Sequence, residues 1–389
     1  MTTASSFTLK VFIKAVLIVL PFFVFAKNTP PKVDAGPVRR IVYPTDTALL
    51  CGKGSDVDGP VTFKWTQMRG NSIAKIAQPT NDTTVVSGLK PGSYTFILTV
   101  RDGNGTTRTD STNVTVLQKM TWVINGITRE AMVHLPTGGS GQPPVIFAFH
   151  GHGGTDFGFA EKGFEFFWPE AIVVYPQGLI TKTPVDSNCK LAGWQTTVGE
   201  INCRNGAVDQ DVKFFNAMLN RMIKKYNANP SLVFVHGWSN GADFAYDVLW
   251  AKLRNKIAAI CPAGATLDTI VGKRPMPVMH VAGKLDIHVP FDEQQQTVQE
   301  VRTLDKCSSD SSVWATGTGG LLATEYSSRI NDKVVFLQYD GDHGYPYTVP
   351  PLIARYFKEV AADILATTTT PLITRVYPIN KSLPAKSLY

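Results

Sequence analysis

The run Gly237-Trp238-Ser239-Asn240-Gly241 sets a serine between two glycines. It directly follows the apolar stretch Leu232-Val233-Phe234-Val235 and precedes a helical pattern that begins near Ala242. Small flanking residues suit a nucleophile on a tight strand-to-helix turn, because backbone and helix approach closely there. Such a turn lifts the hydroxyl clear of the sheet, and the helix N-terminus adds positive potential for an anion. A serine hydroxyl attacks an acyl carbon only when a base takes its proton. Of the seven histidines, His280, His288 and His343 follow Ser239. His280 falls inside an apolar run and is expected to pack as a core residue. His288 sits in the loop after that run and is the alternative base. His343 follows the last apolar run, within Asp340-Gly341-Asp342-His343-Gly344, and is the expected base, since sites in open α/β sheets gather at strand C-termini. Asp286, in Gly283-Lys284-Leu285-Asp286 after another apolar run, is the expected acid that orients the imidazole. Its rivals are Asp292 and Asp342, the second of them too close in sequence to His343 to bond it easily. The glycines of His150-Gly151-His152-Gly153-Gly154 let a loop aim backbone N–H groups at an oxyanion, and the expected donors are the N–H groups of His152 and Asn240. One such donor contributes about 3 kcal/mol to lowering the barrier.

Two kinds of pattern frame these residues. From about Pro31 to Leu117 the chain alternates short β-rich runs, such as Tyr94–Val100 and Thr112–Val116, with turns at Asp58-Gly59-Pro60, Lys90-Pro91-Gly92 and Asp102-Gly103-Asn104-Gly105. Regularly spaced short strands predict a small β-sandwich over residues 31–117. Asp56 and Asp58 there read as turn formers rather than cation ligands. From residue 120 to about 366 apolar runs alternate with helical patterns, starting with a hairpin around Asn125-Gly126. Strands are expected at Val145–Phe149, Ala171–Tyr175, Leu232–Val235, Ile257–Ile260, Val278–Val281 and Val334–Leu337. Helices are expected at about Asp209–Tyr226, Ala242–Lys252 and Pro351–Leu365. In the first, Val212, Phe215, Leu219, Met222 and Tyr226 recur at alternating steps of three and four, one apolar face. The whole predicts one α/β domain with a mostly parallel sheet flanked by helices.

The 389 residues are 43% hydrophobic and 18% charged, which suits packed domains and leaves no long segment disordered by charge. The net charge of +7 is scattered, so no nucleic-acid partner is expected. Lys10 and Lys14 precede an apolar stretch, Ala15–Ala26, shorter than the roughly 20 residues a bilayer-spanning helix needs. With Val24-Phe25-Ala26 as a cleavage site, residues 1–26 read as a secretory signal peptide, implying a secreted or cell-envelope protein without a stable membrane span after cleavage. Export permits disulfides. Cys189–Cys203 is the favoured pair, Cys261 and Cys307 could form a second, and Cys51 is left as a small buried residue in a strand. No metal site and no cofactor are expected. Residues 367–389 form a Thr-rich, Pro-punctuated tail that faintly resembles the start of a secretion-sorting segment.

Asp34-Ala35-Gly36, Gly54-Ser55-Asp56-Val57-Asp58-Gly59, Phe63-Lys64-Trp65, Gly92-Ser93-Tyr94-Thr95-Phe96 and Val100–Gly105 resemble a PKD domain, an immunoglobulin-like module found beside extracellular enzymes. That resemblance implies a spacer, or adhesion to a polysaccharide or a cell surface. The Ser239 elbow, His150–Gly154, Tyr175-Pro176-Gln177-Gly178, Gly193-Trp194, Val208–Val212, Gly283–Asp286 with Val289-Pro290-Phe291, and Asp342-His343-Gly344 resemble the α/β-hydrolase superfamily. Within it they are similar to the polyhydroxybutyrate depolymerase and feruloyl esterase group, allied to carbohydrate esterase family 1. The resemblance implies hydrolysis of carboxylic esters (polyhydroxyalkanoate, feruloyl or acetyl) through an acyl-enzyme. That group more often has a Gly-rich stretch before the base and a Trp soon after it. Here Asp340-Gly341-Asp342 precede it and Tyr345-Pro346-Tyr347 follow. Trp194, Trp238 and Tyr345 could stack on an aromatic acyl group or pack as core. Two other readings share the motif order: a prolyl-oligopeptidase-type serine peptidase, and an adhesion protein with an inactive hydrolase domain.

Overall fold

The computed structural model describes residues 28–136 and 141–369. The expected signal peptide at 1–26 lies outside them, as does the tail beyond Thr369. Among the described residues, thirteen strands share one sheet. In chain order they are β1 (Arg39–Tyr43), β2 (Thr62–Arg69), β3 (Gly92–Arg101), β4 (Thr107–Ile124), β5 (Ile127–His134), β6 (Val145–Phe149), β7 (Ile172–Pro176), β8 (Val233–Trp238), β9 (Ala259–Ala263), β10 (Val278–Gly283), β11 (Cys307–Thr316), β12 (Leu322–Ser328) and β13 (Val334–Tyr339). Their order across the sheet is β11-β12-β13-β10-β9-β8-β6-β7-β5-β4-β3-β2, with β1 paired to β4.

The six strands β7-β6-β8-β9-β10-β13 run parallel. Antiparallel β5 closes one side and the β11–β12 hairpin the other. Strands covered on both faces must be apolar throughout, and β6, β7, β9 and β10 are buried along their whole length. Alternate residues serve opposite faces. Val145, Phe147 and Phe149 pack in the core that holds Val212, Phe215, Leu219 and Met222 of α1 (Gln210–Tyr226). Ile146 and Ala148 pack with Ile353, Tyr356 and Phe357. The remaining helices are α2, which starts as Asn240–Asp243 and continues through a π-helical segment Phe244–Leu249 into Trp250–Leu253, α3 (Phe291–Leu304) and α4 (Pro350–Thr369). This is the α/β-hydrolase arrangement, a mostly parallel sheet between two helical layers.

The N-terminal sandwich sets β1–β3 and the first half of β4 against three short strands, Ala48–Cys51, Thr83–Ser87 and Lys75–Ile76. Strand β3 buries every second residue, and Tyr94, Phe96, Leu98 and Val100 enclose Trp65. The Asp56–Asp58 segment is a turn in which Asp56 accepts from the Asp58 N–H at 2.6 Å.

Strand β4 crosses the expected junction at 117–120 without interruption. It pairs with β3 along residues 107–116 and with β5 along 118–124. Val114 and Val116 lie in the sandwich core, Leu117 on one face of the hydrolase sheet, and Met120 and Ile124 on the other. Asn125-Gly126 closes the next hairpin with both residues at positive φ, 50° and 79°, as a two-residue turn of the primed kind requires.

Cys189 and Cys203 form a disulfide with Cα atoms 6.7 Å apart. The second bridge considered above is not made. Cys261 is buried in β9 and Cys307 opens β11, and three strands (β10, β13 and β12) intervene. Cys51 is half-buried at the end of its strand and accepts from Arg39 Nη2 at 3.4 Å.

Asp305, at the end of α3, is fully buried. Its Oδ1 accepts from the Met276 N–H, whereas Oδ2 lacks a partner among the described residues. Burial pushes this carboxyl up to about 8. The folded chain therefore holds a proton that the unfolded chain releases above about pH 4, and the resulting penalty on folding grows as pH rises toward 8. Asp305→Asn removes that proton linkage. Its melting temperature should exceed the wild type at pH 8, and the gap should close as the pH falls toward 4 in thermal unfolding scans.

Candidate active site

Ser239 sits between β8 and α2 at φ 53° and ψ −126°, a conformation that L-residues adopt only under constraint. The constraint is backbone crowding. A β-carbon on Gly237 would collide with the Gly241 carbonyl, and one on Gly241 would stand 2.5 Å from the Phe149 carbonyl oxygen. Only glycine fits at either flank. The Ser239 N–H donates to Ala263 O at 2.8 Å, tying the elbow to β9.

His343 Nε2 stands 2.9 Å from Ser239 Oγ, and His343 Nδ1 stands 2.8 Å from Asp286 Oδ2. A carboxylate facing Nδ1 keeps the proton there and leaves Nε2 as the acceptor for the serine hydroxyl. The Asp286 side chain is 1% exposed. Its other oxygen accepts from the backbone N–H groups of His288 and Val289, both at 2.9 Å, which locks the carboxylate in place. The three expected residues thus meet, each at the C-terminal end of a parallel strand (β8, β10, β13). The alternatives stand apart from this chain of contacts. His288 is exposed with its ring 5.3 Å from that of His343, Asp342 caps the Gly344 N–H, and Asp292 is exposed on the first turn of α3.

The His150–Gly154 loop lies against the elbow: a β-carbon on Gly151 would be 3.4 Å from Ser239 Cβ. The Gly153 and Gly154 N–H groups are spent on Ala192 O and Gly151 O. Asn240 opens α2, and its side chain pairs both ways with the Trp194 backbone, accepting at 2.7 Å and donating at 3.0 Å. The His152 ring lies beside Gly193, with Nε2 at 3.3 Å from Asp186 Oδ2. His150 is structural. Its Nε2 accepts from the Gly178 N–H, Nδ1 faces Gly151 O at 2.7 Å, and burial lowers its pKa to about 4.

Several supporting residues carried no assigned role in the sequence. Arg129 is a cation in an otherwise apolar strand, and that anomaly was the available signal. It is fully buried, stacks 4.3 Å over Phe214 and donates to Asp211 Oδ1 at 2.8 Å. Asp211 Oδ2 accepts from the Gln195 N–H, and Arg129 also reaches Gln177 O. This buried pair fixes both loops that back the oxyanion segment. Tyr345 and His236 form a second support, with the Tyr345 hydroxyl donating to His236 Nε2 at 3.0 Å while His236 Nδ1 donates to Cys261 O.

The aromatic trio separates. Trp194 is fully buried against Phe149 and Phe244 and donates to His150 O, so it does not reach the site surface and the stacking role is corrected to core packing. Tyr345 is 8% exposed with its hydroxyl turned inward to His236. Trp238 is half-buried with its ring 5.6 Å from that of His343, beside the reacting groups. His280 packs as expected, accepting from Tyr246 OH and donating to Gln294.

A PKD-type sandwich followed by an α/β-hydrolase-fold domain is the class that this architecture defines. Residues 35–116 match a family model for the PKD domain of KIAA0319-like proteins. Over 112 residues the chain is 33% identical to the dyslexia-associated protein KIAA0319-like protein of Mus musculus, covering 28% of this chain and 11% of that one. The chain spans about a tenth of the length of the first curated relatives it matches. It is also 26% identical over 102 residues to a bifunctional acetylxylan esterase/xylanase of Neocallimastix patriciarum, covering 26% of this chain and 15% of that one. Among solved structures, an acetyl xylan esterase from Aspergillus awamori aligns over 62% of this chain and 98% of its own, at 17% identity and a TM-score of 0.46.

Asp211→Asn should leave Arg129 buried without a counter-charge and cost about 3–5 kcal/mol of stability. Urea unfolding of the purified variant measures this. A loss below about 1 kcal/mol would mean that Arg129 finds another partner.

Proposed function

We propose that this chain is a secreted serine carboxylesterase in which Ser239 is the nucleophile, His343 the general base and Asp286 its orienting acid. One observation carries the reading: the unbroken contact chain Ser239 Oγ–His343 Nε2 and His343 Nδ1–Asp286 Oδ2, mounted on a strained elbow. Ser239 Oγ attacks the ester carbonyl as His343 Nε2 takes its proton. The carbonyl oxygen becomes an oxyanion held by the N–H groups of Asn240 and His152. His343 then gives its proton to the departing alkoxide, leaving acyl-Ser239 and free alcohol. A water, deprotonated by the same imidazole, attacks the acyl carbon, and Ser239 leaves with the proton to regenerate the site.

For the substrate we favour polymeric or bulky apolar esters, of the polyhydroxyalkanoate, feruloyl or acetyl-polysaccharide kind. Leu285 and Ile287 flank Asp286 at 66% and 83% exposure, and Tyr347 follows His343 at 72%. Leu191 sits against Gly153 in the loop of the His150–Gly154 motif. An apolar rim around an open site suits contact with a surface. Export through the N-terminal leader belongs to this reading, and no described helix is long and apolar enough to cross a membrane. A contact of the sandwich with polysaccharide or a cell surface fits the same extracellular setting.

The test is hydrolysis of aryl acetate and aryl ferulate esters by the full chain and two variants. Ser239→Ala should lower turnover on the order of 10⁶-fold. Asp286→Asn should cost on the order of 10⁴-fold by favouring the wrong imidazole tautomer. Equal rates in wild type and Ser239→Ala would overturn the assignment of the nucleophile, and the acetyl-to-feruloyl ratio ranks the acyl groups.

A further inference from the structure

We propose that the N-terminal sandwich is a working part of the hydrolase, with Arg40 as a positioning residue that acts on His343 through Glu165, Tyr175, Phe164, His236 and Tyr345. This inference rests on the reading of His343 as the base.

Arg40 lies on β1 of the sandwich. Its Nε donates to Glu165 Oε1 at 2.9 Å, and its guanidinium stacks 4.4 Å over Phe166. Glu165 belongs to the short helix Phe164–Phe167 of the hydrolase domain, and its side chain is 0% exposed. A carboxylate removed from water requires a counter-charge and hydrogen bonds. Glu165 draws the charge from the other domain, and its second oxygen accepts from Tyr175 OH at 2.6 Å. That hydroxyl in turn accepts from the Phe164 N–H at 3.0 Å. Gly163, at φ 66°, precedes the helix where any β-carbon would collide with the Arg40 guanidinium. The sandwich thus fixes where this helix starts.

The helix backs the base loop. The Phe164 ring lies 5.2 Å from the His236 ring, and Phe159 stacks on the other side at 5.8 Å. His236 is held between Cys261 O and the hydroxyl of Tyr345, two residues after His343. Tyr345 also packs edge-on against Trp238, whose ring lies against that of His343. Every link is a direct hydrogen bond, ion pair or ring contact. A second tie runs beside it, where His134 Nε2 accepts from Ser93 of the sandwich while Nδ1 faces Ala171 O.

Spatial continuity alone does not establish coupling, so the test perturbs one end and reads the other. In Arg40→Met, Glu165 stays buried without its counter-charge. In Arg40→Met/Glu165→Gln the charge problem is removed at both partners. Tyr345→Phe cuts the last link and leaves the ion pair alone. The readouts are the proton NMR signal of the His343 Nδ1–H bonded to Asp286, and the kcat and KM for an aryl acetate. Arg40→Met should shift that signal and lower kcat by about tenfold with KM little changed. The double variant should restore both, and Tyr345→Phe should reproduce the Arg40→Met signature.

A folded Arg40→Met protein with unchanged signal and kcat would overturn the proposal. So would a double variant that stays impaired, or a Tyr345→Phe protein indistinguishable from wild type. If Arg40→Met does not fold, the double variant and Tyr345→Phe decide. A wild type that turns over no ester would count against the esterase reading, while the NMR signal would still decide the brace.

Discussion

At the end of β8 the backbone of the elbow comes within contact distance of β6 on one side and of α2 on the other, too close for a β-carbon at position 237 or 241. The rest of the site follows from that crowding. It forces Ser239 into the left-handed half of conformational space, and the hydroxyl is held where the loops after β10 and β13 can reach it. It also brings the His150–Gly154 loop against the serine, so that nucleophile and oxyanion donors share one small volume. Asp286 and His343 need only ordinary loop geometry to complete the contact chain. The strained residue is maintained by its neighbours, since the parallel strands on either side leave the turn no room to relax.

How much of this could be read from the sequence depended on whether the signal was local. The elbow glycines, the apolar strands before each loop and the stripe on α1 are short-range patterns, and they placed the α/β fold, the sandwich and the meeting of Ser239, Asp286 and His343. Strand limits were out by a residue or two where a polar residue continues a strand, as with His236 at the centre of β8. The β11–β12 hairpin escaped notice because Ser308 to Ser312 give it no apolar alternation. The second disulfide failed for a long-range reason, since only the strand order shows that Cys261 and Cys307 lie far apart. Trp194 looks in the sequence like any aromatic near a motif. Its burial follows from the Asn240 side chain pinning the neighbouring backbone, a contact between residues 46 positions apart.

Buried charge is the other theme. Arg129 with Asp211, and Arg40 with Glu165, each remove two charges from water in a fold that could have used apolar residues there. Such pairs add little net stability compared with apolar substitutes of the same shape, but they tolerate only one register of the pieces they join. Both lie where a register error would matter: behind the loops of the oxyanion segment and at the meeting of the two domains. The buried histidines follow a related logic. His150, His236 and His280 are held neutral, with pKa values near 4, and each accepts one hydrogen bond while donating another. That makes them fixed spacers in the walls of the site, while His343 keeps its ring nitrogens on Asp286 and Ser239.

Strand β4 has a mechanical consequence. A catalytic domain tethered to a module through a flexible linker is shielded from whatever pulls on that module, because the linker extends first. Here the last strand of the sandwich and the first strand of the catalytic sheet are the same 18-residue stretch. Its side chains are anchored in all three cores. There is no slack at the joint. A drag on the sandwich, from a surface it touches or from flow, arrives at the catalytic sheet as tension along a hydrogen-bonded strand, and the two domains bear it as a single solid body.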